Sequence, residues 1–156
     1  MNLSSKAVLF LATGFGAGRI PFAPGTFGSL AGLPFCLLLA SVSRPVSAAL
    51  LAGLILISVP VASRAARMLG KKDPGAIVID EMAGISVTLW GIPFQFLPVC
   101  AGFLIFRVLD IAKPFPVGYL DRTLSGGTGI VADDLAAGLI GNLLLRAFLA
   151  LSGWGA

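Results

Sequence analysis

The chain has no histidine, two cysteines, one tyrosine and seven acidic residues among 156. The missing histidine excludes a phosphohistidine intermediate and a Ser-His-Asp triad. Cys36 and Cys100 lie in hydrophobic segments with no acidic residue beside them, which marks buried thiols rather than a disulfide or a zinc site. Cys100 precedes Arg107 by seven positions inside an apolar run, which is neither the loop nor the spacing of a phosphocysteine nucleophile. No Asp-x-Asp nucleophile pair occurs either. The first 72 residues contain no acid at all.

Charge of either sign is scarce, at 12% of residues, while 57% are hydrophobic and mean hydropathy is +0.99. An ordinary soluble domain is roughly 45–50% apolar. The chain therefore reads as an all-α, polytopic membrane bundle. A spanning helix takes about 20 residues, so the length suits a single domain, residues 1–156, of four to six short spans. The net charge of +4 does not indicate nucleic acid, because the basic residues are not interleaved with aromatics. Arg64, Arg67, Lys71 and Lys72 instead follow an apolar run directly. That is the positive-inside signal, and it predicts a cytoplasmic loop there. No convincing small-residue cleavage site follows the apolar N-terminal stretch, so no signal peptide is expected and the spans themselves direct insertion.

Along the chain, Lys6 and Arg19 enclose only twelve residues, three of them glycine, which predicts a re-entrant or interfacial N-terminal segment. Residues 26–43 form the first span and residues 46–62 the second, joined at Arg44-Pro45 and bent by Pro60. Residues 76–92 return to the membrane with Asp80 and Glu81 near the start. Residues 93–98 make an uncharged turn on the outer side. Residues 96–112 come back with Arg107 and Asp110 in their last two turns. Residues 119–129 read as a glycine-rich loop, and residues 130–151 as a final helix with Asp133 and Asp134 in its first turn. Small residues four apart, Gly28 with Gly32, Gly84 with Thr88 and Ala137 with Gly141, allow helices to approach closely in lipid.

Counted by turns, the acids Asp80, Glu81, Asp110, Asp133 and Asp134 all fall at one face of the membrane, beside the basic loops. Carboxylates in an apolar setting cost several kcal/mol unless a cation pairs with them. Five gathered together predict at least one divalent ion. Oxygen ligands without histidine or thiolate favour Mg²⁺, or Mn²⁺, over zinc. Adjacent acids on a helix point about 100° apart, so one member of each pair can ligate while its neighbour orients water or a lysine. Two plainer readings stand beside this. Arg107, Asp110 and Lys113, at spacings of three, make a local ion-pair row, and Asp133 or Asp134 caps its helix dipole. The run Gly14-Phe15-Gly16-Ala17-Gly18, then Pro24-Gly25-Thr26-Phe27-Gly28-Ser29 opening a helix with Arg19 nearby, suits phosphate binding.

Four ordered motifs resemble the phosphatidylglycerophosphatase A family: Gly14-x-Gly16 to Pro24-Gly25-Thr26-x-Gly28-Ser29-Leu30, Asp80-Glu81-x-x-Gly84, Phe106-Arg107-x-x-Asp110-x-x-Lys113-Pro114-x-Pro116, and Asp121 followed by Gly126-Gly127-x-Gly129-Ile130-x-x-Asp133-Asp134-x-x-Ala137-Gly138. The resemblance covers essentially the whole chain. It implies an all-helical enzyme of the bacterial inner (cytoplasmic) membrane that hydrolyses the terminal phosphomonoester of phosphatidylglycerophosphate with Mg²⁺. One departure is Lys72-Asp73-Pro74-Gly75, where relatives often carry a histidine, which implies that a histidine there is dispensable.

The expectation is a lipid phosphatase acting on an anionic phospholipid, with its site facing the cytoplasm and no protein partner evident. Asp80, Glu81, Asp110, Asp133 and Asp134 are the candidate metal-ligating and catalytic acids, Glu81, Asp110 and Asp134 foremost as ligands. Arg19, Arg107 and Lys113 are the phosphate clamp, and Thr26 and Ser29 hydrogen-bond donors. A small transporter or cation channel is the alternative, since intramembrane carboxylates also mark cation pathways. A non-catalytic lipid-binding assembly factor is a third reading.

Overall fold

In a computed structural model, residues 3–70 and 74–153 are described. Among them there is no strand: the order is α1 (Leu3–Ala12), a 3-10 turn (Ala17–Arg19), α2 (Pro24–Ser41), α3 (Arg44–Leu69), α4 (Ile79–Leu89), α5 (Phe96–Ala112), α6 (Val117–Thr123) and α7 (Gly126–Leu151). Three of these, α2, α3 and α7, are long and apolar enough to cross a membrane, with mean hydropathies of 1.3, 2.2 and 1.6. Leu37, Leu56, Ile57, Leu104, Val108 and Leu143 point outward and are exposed, as side chains solvated by lipid would be. At ten residues, α1 is about 15 Å long, half of a ~30 Å hydrocarbon core. It packs on α3 and does not cross.

Helix α4 is the axis, packed by α2, α3, α5 and α7. It has only eleven residues, nine of them buried, where residues 76–92 had suggested a longer return. A helix ending at membrane depth must have its free carbonyls satisfied by protein. Asn142 of α7 supplies this: its Nδ2 donates to the carbonyls of Val87 (3.2 Å), Thr88 (2.8 Å) and Trp90 (3.0 Å). Arg146 Nη2 adds a bond to Trp90 O at 3.1 Å. At the other end, the Val78 N–H donates to Ala12 O at 2.8 Å, which ties α4 to α1. The half-span is stable because neighbours hold both ends.

Two glycines set the distance between α4 and α7. A Cβ on Gly84 would stand 2.6 Å from Phe106 Cζ and 2.9 Å from Asp134 O, and one on Gly138 would stand 2.5 Å from Gly84 O. Backbone therefore meets backbone, and this contact brings the acids of α4 beside those of α7.

Several boundaries differ from the sequence expectation. The second span extends past Pro60 and through Arg64 and Arg67 to Leu69, because Gly70 at φ 68° supplies the left-handed C-cap. Residues 119–129 are not a loop, since α6 and the first turn of α7 occupy most of them. Because α7 begins at Gly126, Asp133 and Asp134 are its eighth and ninth residues and no acid lies in its first turn. Helix-dipole stabilisation falls off within one turn and so accounts for neither acid. Lys71, Lys72 and Asp73, on which the cytoplasmic-loop expectation partly rests, lie outside the described residues.

Candidate active site

Three chain segments converge at one end of the bundle: the start of α4, the end of α5 and the first third of α7. Asp80 and Glu81 occupy the first turn of α4, and Asp134 approaches from α7 across the Gly84–Gly138 contact. Asp80, Glu81 and Asp134 each offer a carboxylate oxygen within 4.8 Å of the others. Asp80 and Asp134 are buried, at 7% and 3% exposure. Asp80 Oδ1, Glu81 Oε2 and Asp133 Oδ1 are buried without a hydrogen-bond partner. Buried acceptors of this kind are rare and costly, and like charges at this spacing repel. The set contains oxygen and neither imidazole nor thiolate, so its donor chemistry fits a hard divalent cation.

Asp110 and Asp133 sit beside this trio, each with a cation. Arg107 Nη1 donates to Asp110 Oδ2 at 2.5 Å, one turn apart on α5. Lys113 was expected to continue that row. Instead it is the C-cap of α5 in the left-handed region, φ 45°, and its ammonium pairs with carboxylates of other helices. Lys113 Nζ lies 2.8 Å from Asp133 Oδ2 and 2.8 Å from Asp121 Oδ1. Partial burial alone would lower the Lys113 pKa, but the hydrogen bonds it donates to the two carboxylates, together with their charge, outweigh it and raise it above the ordinary lysine value. The ammonium stays charged, with one of its three N–H donors left over.

These groups surround a cavity of about 360 Å³ whose charged lining is Asp80, Glu81, Asp110, Asp121, Asp133 and Asp134 with Lys113 and Arg122. Of the other expected site residues, Arg19 is exposed in the 3-10 turn and Thr26 is half-buried on α2. Ser29 is fully buried and donates its hydroxyl to Gly25 O at 2.9 Å. None of the three lines the cavity. The glycine-rich start of α2 reaches the acids through backbone instead. A Cβ on Gly25 would fall on Glu81 Oε1 and stand 3.0 Å from Arg107 Nη1, so only glycine admits the helix end to that position.

Two charged cavity residues had no role assigned from sequence, Asp121 and Arg122, both on α6, although Asp121 stands in the fourth of the family motifs. The sequence signal was weak, because a seven-residue helix is too short for periodicity to show and glycines follow it.

Comparison with known proteins identifies the family. A family model described as phosphatidylglycerophosphatase A matches residues 10–149. The chain is 42% identical over 131 residues to phosphatidylglycerophosphatase A of Escherichia coli, covering 83% of this chain and 76% of that protein. It is 38% identical over 131 residues to the protein of the same name from Haemophilus influenzae, covering 83% and 80%. It is 33% identical over 158 residues to a putative phosphatidylinositol-3-phosphatase of Bacteroides thetaiotaomicron, covering 93% and 95%. No solved structure matches the chain. The chain belongs to the phosphatidylglycerophosphatase A family and is a membrane phosphatase.

Proposed function

We propose that this protein hydrolyses the terminal phosphomonoester of phosphatidylglycerophosphate in a Mg²⁺-dependent reaction, giving phosphatidylglycerol and inorganic phosphate. The observation that carries the reading is the convergence of Asp80, Glu81 and Asp134, with Asp80 Oδ1 and Glu81 Oε2 buried and unpartnered, at one end of a bundle whose outer surface is apolar. The substrate class follows the names of the Escherichia coli and Haemophilus influenzae relatives. The activity named for the Bacteroides thetaiotaomicron relative concerns the same kind of group, a phosphomonoester on a headgroup that a phosphodiester links to diacylglycerol.

Asp80, Glu81 and Asp134 are the residues that would hold Mg²⁺, or Mn²⁺. An ion held there would neutralise phosphate oxygens and lower the pKa of bound water. Lys113, already fixed by Asp121 and Asp133, directs its remaining N–H to a phosphate oxygen and stabilises charge developing in the transition state. Asp133 presents an unpartnered Oδ1, suited to accept the proton of the attacking water. The new P–O bond forms as the bond to the glycerol oxygen breaks, and the leaving oxygen takes up a proton to become the phosphatidylglycerol hydroxyl, the one Asp133 accepted or one from solvent. Arg107 holds Asp110 at the cavity wall, and its Nε is buried without a partner.

The transporter or channel alternative is not favoured, because all six described acids gather at one end of the bundle and leave no charged path through it. Phosphatidylglycerophosphate in neutral detergent micelles tests the function directly: phosphate release matched mole for mole by phosphatidylglycerol is expected with Mg²⁺ present. A folded protein that released neither would overturn it.

The same reading places the site at the cytoplasmic face of a bacterial inner membrane. Arg64 and Arg67, with Lys71 and Lys72 after them in the sequence, lie towards the site end of α3, as the positive-inside rule requires. In a variant lacking Cys36 and Cys100, a cysteine at position 72 should react only after the inner membrane is opened, and one at position 95 should react in intact spheroplasts. The reverse pattern would invert the topology.

A further inference from the structure

The lining of the active-site cavity contains two cations, Lys113 and Arg122. Lys113 is held by Asp121 and Asp133. Arg122, in the last turn of α6, is exposed and has no ion pair among the described residues. Among the described residues it is thus the one cavity cation without a carboxylate partner, on a wall that carries six carboxylates. Its position is fixed relative to the chemistry. The neighbouring residue, Asp121, touches the Lys113 ammonium at 2.8 Å, so the helix turn that bears Arg122 is tied to the catalytic end of α5.

We propose that Arg122 is the specificity-determining residue that binds the internal phosphodiester of the substrate, one glycerol unit from the phosphomonoester that is cleaved. This inference rests on the lipid-phosphatase reading above. A lipid with a phosphomonoester beyond a diester-linked headgroup brings two anionic groups to this cavity. The monoester belongs with the acids that would hold the cation and with Lys113. The diester carries a single negative charge shared by two oxygens, which the planar fork of a guanidinium matches with two parallel N–H donors. Arg122 lines the cavity, and its donors are in no ion pair among the described residues. The wall beside it, Ser125 and Gly126, opens α7, so the local helix end also favours an anion.

An arginine at a membrane edge can also act only as a surface charge that attracts anionic lipid generally, and the test separates the two roles. Phosphatidylglycerophosphate and its analogue with the internal diester methylated to a neutral phosphotriester are compared as substrates in the same neutral micelles. The wild-type protein should prefer the charged diester by about 10- to 100-fold in kcat/KM, the range of one charge-assisted hydrogen bond, expressed mainly in KM. In Arg122→Ala the preference should fall to near one, and Arg122→Lys should restore part of it. A wild-type protein indifferent to methylation, or an Arg122→Ala protein that keeps the wild-type preference, would overturn the proposal while leaving the phosphatase reading intact. Release of phosphate from neither lipid by the wild-type protein would instead remove the reading on which it rests.

Discussion

Asp134→Asn should lower turnover at least about 10³-fold at saturating lipid, and chelation of the wild-type protein with EDTA should produce a loss of the same order. Asp134 is the one member of the trio contributed by α7, so it closes a group that Asp80 and Glu81 leave open. The substitution keeps the side-chain shape while removing one of three charges that lie within 4.8 Å of one another. The stability readout should move the opposite way from activity. Without a cation the three carboxylates repel, so in EDTA the variant should melt no lower than the wild-type protein. Added Mg²⁺ should raise the wild-type melting temperature, because a ligand that binds only the folded state stabilises it by mass action. That shift should be largely lost in the variant. A folded Asp134→Asn protein with wild-type turnover and an unchanged Mg²⁺ shift would show that the trio does not hold the catalytic cation.

The sequence made part of this legible. Helix α5 has the expected bounds, Phe96–Ala112, because turn residues precede it and Lys113-Pro114 stops it, both local signals. The recurring small residues also mark real contacts. Gly28 meets Val78, Gly32 meets Ile85, and Gly141 meets Thr88. What was hidden depends on distant partners. The end of α4 at Leu89 is set by Asn142 and Arg146, more than fifty positions away. The start of α7 was masked by Gly126, Gly127 and Gly129, which in water would argue for a loop. In this bundle Gly127 lies against Val59 O and Ser63, with its N–H bonded to Ser63 Oγ at 3.3 Å. Glycine serves there as contact surface between α3 and α7 rather than as a hinge.

The site was legible to a similar depth. Residue type and rough membrane level identified the acids, but the partition among them depends on one backbone angle. Had Lys113 kept a helical φ, it would have remained in the row with Arg107 and Asp110. Past the helix end its ammonium pairs with Asp121 and Asp133, which leaves Asp80, Glu81 and Asp134 as converging carboxylates with no ion pair among the described residues.

Lys113→Ala should reduce kcat by about 10²- to 10³-fold, the effect of losing one charged donor to a transferring phosphoryl group, with a smaller change in KM. Two other consequences distinguish this role from a structural one. Asp121 and Asp133 lose their shared cation, so the melting temperature should fall, since an uncompensated buried charge such as Asp133 is destabilising. The Mg²⁺-induced melting shift should nevertheless persist, because Asp80, Glu81 and Asp134 are untouched. Lys113→Arg should recover most of the stability by restoring a cation between the two carboxylates. It should recover only part of the turnover, since a planar guanidinium does not reproduce the donor geometry of an ammonium. If Lys113→Ala folds, keeps its Mg²⁺ shift and turns over at the wild-type rate, Lys113 is only a tie between α6 and α7, and the phosphate must be held by other residues.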